Sequence, residues 1–161
     1  MMDYNEDIAK ATAQKKQNKR TIQRLKKLPE KKVDDFFHSL HDVVFQEIDC
    51  LNCANCCKTT SPIFRDIDID RLAKHLKISS AQLIEKHLHI DQEGDYVLNS
   101  SPCVFLQEDN KCSVYEYRPL ACREYPHTNR KKMHQILNLS LKNTTVCPAV
   151  SRIFEAIRIK L

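Results

Sequence analysis

The chain has 161 residues, of which 42% are hydrophobic, 7% aromatic and only one glycine. That length supports one ordinary domain or a smaller domain with an appended arm, and so little glycine argues against a sheet-rich fold with many tight turns. No stretch is long and apolar enough to span a bilayer, and Met1 to Lys10 places acids where a secretory leader needs a basic start, so a cytoplasmic protein with reduced thiols is expected.

Asn5 to Leu28 reads as a helix rich in Lys, Gln, Ala and Arg, with Ile8, Ile22, Leu25 and Leu28 as its large apolar residues. Lys10 to Lys32 holds ten basic groups against the single acid Glu30, and residues 118–161 hold nine basic against two acidic groups. Such runs suit an acidic protein partner; nucleic acid is disfavoured, because a solvated helix face explains them more simply. Pro29 ends the arm, so the expected organisation is a basic helical arm at 1–29, either mobile or laid along the domain or a partner. A cysteine-cluster metal-binding domain at 30–161 follows. Glu30 to Ile48 repeats Val33, Phe36, Phe37, Leu40, Val43, Val44 and Ile48 at helical spacing.

Cys50-Leu51-Asn52-Cys53-Ala54-Asn55-Cys56-Cys57 then packs four of the eight cysteines into one short stretch. Cys50, Cys53 and Cys56 repeat at a spacing that lets a tight loop gather three sulfurs about one centre. Adjacent side chains leave the backbone in divergent directions, so Cys57 is expected to face a different ion, or a different atom of one cluster. Cys103, Cys112, Cys122 and Cys147 supply four further thiols. The expected partition is Cys50, Cys53, Cys56 and Cys147 in one set and Cys57, Cys103, Cys112 and Cys122 in the other. Two tetrahedral zinc sites would use all eight; Cys147-Pro148 equally matches the last element of a ferredoxin-type iron–sulfur set, so the metal stays open between zinc and iron–sulfur.

Asp66 to Lys77 reads as a short helix with Asp66 or Asp68 as cap, and Ser79 caps another at Ser80 to His87. This pair is read as a helical cover over the metal site, since as a DNA-reading pair it offers few base-reading side chains. Gly94 marks a turn before the strand-like Tyr96-Val97-Leu98. Pro102 to Leu106 and Cys112 to Tyr115 read as a hairpin turning at Glu108 to Lys111. Arg118-Pro119 opens a helical turn carrying Cys122; Thr128 to Lys142 is undecided between helix and strand; Ala149 to Ile159 is a last helix with Val150, Ile153, Phe154 and Ile157 on one face. The fold class is therefore mainly α with a small β-hairpin (α+β), a compact metal-stabilised domain with an N-terminal helical arm.

Arg65, Arg118 and Arg123 flank cysteines and are candidates to offset thiolate charge, and His127 could replace one thiol. No catalytic or cofactor-binding residue is assigned, and whether the protein is an enzyme stays open. The motif CxxCxxCC at Cys50 to Cys57, with Cys103-Val104-Phe105-Leu106, Cys112-Ser113-Val114-Tyr115-Glu116-Tyr117-Arg118-Pro119 and Cys122-Arg123-Glu124-Tyr125-Pro126, resembles the YkgJ-type cysteine-cluster family over about residues 48 to 148. The resemblance implies a small cytoplasmic bacterial metalloprotein that chelates zinc or iron. Some relatives are associated with flagellin lysine N-methylation, which would imply an S-adenosylmethionine site; one glycine provides no glycine-rich loop for such a nucleotide.

Overall fold

The structure is a computed structural model that describes residues 4–161; the first three residues of the acidic start lie outside it. In chain order the elements are α1 (Tyr4–Ala13), α2 (Lys15–Leu25), α3 (Glu30–Val44), α4 (Cys50–Cys53), α5 (Asn55–Thr59), α6 (Asp66–Leu76), α7 (Ser80–His87), β1 (Leu88–Ile90), β2 (Tyr96–Leu98), α8 (Leu120–Glu124), α9 (Leu137–Asn143) and α10 (Pro148–Lys160). The fold is mainly helical with one small antiparallel hairpin. No helix among the described residues is long and apolar enough to cross a membrane. The residues form two compact units, one of residues 1–49 with 126–161, the other of residues 50–125.

The first unit is built on α10. Proline suits its first turn, where no backbone donor is needed, and the spacing of Val150, Ile153, Phe154 and Ile157 puts four fully buried side chains on one stripe. Burial of such side chains is worth about 1.5–3 kcal/mol each. Phe154 meets Phe37 of α3 edge to face, with centroids 6.0 Å apart. Of the two expectations for the arm, the structure shows α1 and α2 laid along helices: α1 on α10, α2 on α9 and α10. The helix expected over Asn5 to Leu28 is broken at Gln14. The first half buries little beyond Ala11, and α2 adds Asn18, Thr21, Ile22 and Leu25.

Arg152 pairs with Asp7 at 2.9 Å, and Lys10 with Glu155 at 2.6 Å, which fixes the register of α1 on α10. The undecided stretch resolves into a 3-10 turn at Met133–Ile136 followed by α9. It is held on α3, where Asp34 accepts from the N–H groups of Lys132 and Met133 at 3.0 and 2.7 Å. His38 and His41 add ring contacts to the Arg130 carbonyl and the Thr128 hydroxyl, both at 2.8 Å.

In the second unit, Phe64, Ile69, Leu72, Ala73, Leu83, Leu88, Leu98, Phe105 and Val114 make the core, with Cys103 and Cys112 packed against it. Ser79 caps α7 as expected: its hydroxyl accepts from Gln82 N–H at 3.1 Å, and the Gln82 side chain accepts from Ser79 N–H at 2.9 Å. The hairpin is β1 with β2, in register Leu88 with Leu98, His89 with Val97 and Ile90 with Tyr96. That differs from the expected hairpin at Pro102 to Tyr115, where the structure has one bridge, Leu106 with Cys112, and a 3-10 turn at Tyr115–Tyr117. The chain does turn back there, Gln107 N–H donating to the Lys111 carbonyl at 2.8 Å and Ser113 N–H to the Phe105 carbonyl at 2.9 Å, but Leu106 N–H is spent within its own turn on the Cys103 carbonyl at 3.0 Å, so no longer ladder forms. At the hairpin that does form, Asp91 Oδ1 accepts from Glu93 and Asp95 N–H groups at 2.9 and 3.0 Å, closing the turn, and Gly94 takes φ +88°.

Candidate metal centre

α4 and α5 are single turns separated by Ala54, a buried alanine at φ 49°. A left-handed backbone costs an L-residue roughly 1–2 kcal/mol, and here it stops one helical turn at Cys53 and restarts another that carries Cys56 and Cys57. Without that reversal the four cysteines would lie along one side of a single continuous helix, strung out over about two turns. The second strand of the site is tied directly to the first. Cys103 N–H donates to the Cys57 carbonyl at 2.8 Å, Ser101 Oγ to the Lys58 carbonyl at 2.8 Å, and Asn110 Nδ2 to the Asn52 carbonyl at 3.1 Å.

Cys57, Cys103, Cys112 and Cys122 all belong to the second unit. Each lies within electrostatic reach of the other three: Cys103 feels Cys57 and Cys112, Cys112 feels Cys57, and Cys122 feels all three. Burial, then the neighbouring sulfurs, pushes the Cys122 thiol up to about 12. Cys103 and Cys112 are raised as well, by burial first. Opposing this, the backbone N–H groups that follow each cysteine favour its thiolate, those of Phe105 and Leu106 at Cys103 and that of Val114 at Cys112, while Leu106 N–H makes its 3.0 Å bond to the Cys103 carbonyl. Donors near a sulfur stabilise the thiolate rather than the thiol. Four sulfurs that repel one another as anions are a donor set suited to a soft cation.

Cys57 behaves differently from its three neighbours. A hydrogen bond from the Cys56 thiol, outweighing burial and helped by Lys58, lowers it to about 7. The same bond shows that the side chains of Cys56 and Cys57 touch, so the divergence expected of adjacent residues is incomplete. Cys50 is exposed and Cys53 half-buried. Cys147 belongs to the other unit, where it is 8% exposed and caps α10. Among the described residues no disulfide joins any cysteines.

Of the three flanking arginines, Arg118 acts on the sulfurs, drawing both Cys112 and Cys122 toward the thiolate. Its guanidinium lies 3.8 Å from the Tyr115 ring centroid and donates to the Tyr115 carbonyl. Arg65 instead pairs with Asp68 at 2.8 Å, and Arg123 Nε donates to the Arg118 carbonyl at 3.3 Å. His127 adopts φ 64° just after Pro126, in the first unit. One feature escaped the sequence: the buried carboxylate of Asp68, which reads as an ordinary helix cap. Among the described residues, Asp91, Glu93 and Asp95 gather their carboxylates within 4.8 Å, and the hairpin turn accounts for them.

A family model described as "CxxCxxCC: Putative zinc- or iron-chelating domain" matches residues 49–147, more than half of the chain and a span containing all eight cysteines. An uncharacterised protein of Methanocaldococcus jannaschii is 28% identical over 82 residues, which cover 49% of this chain and 44% of that protein. The chain thus spans less than half the length of this curated relative. No solved structure matches.

Proposed function

The chain belongs to the CxxCxxCC family, and from that premise we propose that it is a cytoplasmic metal-binding protein whose eight cysteines hold zinc or iron in two four-sulfur sets. One set is Cys57, Cys103, Cys112 and Cys122. The observation that supports it is that each of these four thiols feels the charge of the other three. A bound cation would supply the positive charge that lets all four ionise together. Arg118 and Lys58 offset part of the excess negative charge, about −2 for a divalent ion on four thiolates. Cys50, Cys53, Cys56 and Cys147 are assigned to the other set on their spacing and on the extent of the family match. The exposed Lys15, Lys16, Lys19, Arg20, Lys26 and Lys27 on and after α2 offer an acidic protein partner a docking face.

Elemental analysis and a visible spectrum of anaerobically purified protein test this. About two metal equivalents per chain are expected for mononuclear sites, colourless for zinc; a brown preparation that bleaches on reduction identifies an iron–sulfur cluster instead. Cys57→Ser and Cys122→Ser should empty one set, and Cys56→Ser and Cys147→Ser the other. Less than one metal per chain would overturn the proposal.

A further inference from the structure

Asp68 is 1% exposed, a buried carboxylate in the first turn of α6. A helix cap needs one or two hydrogen bonds; Asp68 accepts five. Oδ2 takes Arg65 N–H at 3.2 Å and Arg65 Nε at 2.8 Å, while Oδ1 takes Arg65 Nη2 at 3.0 Å, Arg71 Nη2 at 3.2 Å and Leu120 N–H at 3.3 Å. The last of these comes from 52 residues further along the chain. Arg71 Nη2 also donates to the Arg118 carbonyl at 2.8 Å. The pair therefore grips the chain on both sides of the buried Pro119, the one residue there with no N–H of its own. Pro119 in turn receives Cys122 N–H at 3.0 Å and Arg123 N–H at 3.2 Å, the first bonds of α8. Upstream, His75 of α6 stacks on Tyr117 at 3.9 Å, so α6 holds the preceding turn too.

We propose that Asp68 and Arg71 are positioning residues for the Cys57, Cys103, Cys112 and Cys122 centre: they fix the Arg118-Pro119-Leu120 segment on α6 and so set where the Cys122 sulfur stands. The proposal rests on reading those four thiols as metal donors. A buried charge with this many partners is costly to place for capping alone, and its surplus bonds all lead to the cysteine-bearing segment or to the arginine that bonds it. Outer partners of metal ligands typically change affinity 10–100-fold.

The test is a cobalt(II) titration of the full chain against a competing chelator, in wild type, Asp68→Asn, Arg71→Gln, Leu83→Ala and Cys122→Ser. Cys122→Ser marks the absorption bands that belong to this centre. Asp68→Asn and Arg71→Gln should weaken cobalt binding in those bands about tenfold or more and shift their ligand-field positions. Leu83→Ala, a core truncation in the same unit, should lower the melting temperature while leaving band positions and affinity within about twofold of wild type. Should Asp68→Asn fail to fold, Arg71→Gln, which keeps the Asp68–Arg65 cap, carries the test. Unchanged bands and affinity in both variants, or an equal shift in Leu83→Ala, overturn the inference. Wild type that takes up no cobalt in the Cys122-dependent bands overturns the four-thiol reading itself.

Discussion

Within one group of four thiols the protein sets two kinds of titration. Cys57 sits at about 7, because Cys56 donates to it, while Cys122 sits at about 12 and Cys103 and Cys112 are raised. At pH 7, binding a cation to all four must expel about three to four protons, three from the raised thiols and about half of one from Cys57. Protons compete with metal, so affinity should rise with pH, by roughly three orders of magnitude per unit near neutrality. Proton release measured with an indicator in weak buffer checks this; about one proton per ion would remove two of the raised thiols from the ligand set. Metal-free protein treated briefly with iodoacetamide at pH 7 should be alkylated at Cys57 before Cys103, Cys112 or Cys122, as the thiolate is the nucleophile. Peptide mapping reads the order.

At the scale of elements, α7 is the most self-sufficient: Ser79 and Gln82 close a reciprocal capping box. Ser79→Ala should cost about 1 kcal/mol, seen as a lower denaturation midpoint with unchanged slope. This cap was legible in the sequence because it is local, as were α3, α10 and strand Tyr96–Leu98, whose apolar periodicity coincides with burial. The hairpin was misplaced for a physical reason. Leu88 to Ile90 continues directly from α7 with no turn residue to announce it, whereas Pro102 to Tyr115 has alternation and a turn but spends Leu106 N–H on the Cys103 carbonyl within its own turn. The break at Gln14 follows no residue rule, as Gln is a good helix former. The cysteines announced themselves by spacing; Asp68 did not, since its partners Arg71, Arg118 and Leu120 are brought to it only by the fold.

For the whole molecule, the division into two units predicts a divided response to chelation. The unit of residues 50–125 contains seven of the eight cysteines and one modest apolar core. The other has the long helices, with Phe37, Phe154, Ile153 and Ile157 fully buried. Removing metal should strip hydrogen-exchange protection from amides around Leu72 and Leu83 while amides around Phe37 and Phe154 stay protected. Equal loss in both units would show that one cooperative transition spans the chain.

The discontinuity of the first unit bears on how the protein is made. Its first three helices leave the ribosome early, yet α9 and α10, which cover Leu25 and Phe37, are encoded at the far end. At about 5–20 residues per second, the roughly 100 residues between them take about 5–20 s to synthesise. Cys57, Cys103, Cys112 and Cys122 all precede α9 and α10 in order of emergence. Metal supply during translation, rather than after release, would then decide whether the middle unit is ordered by the time α9 and α10 follow it out.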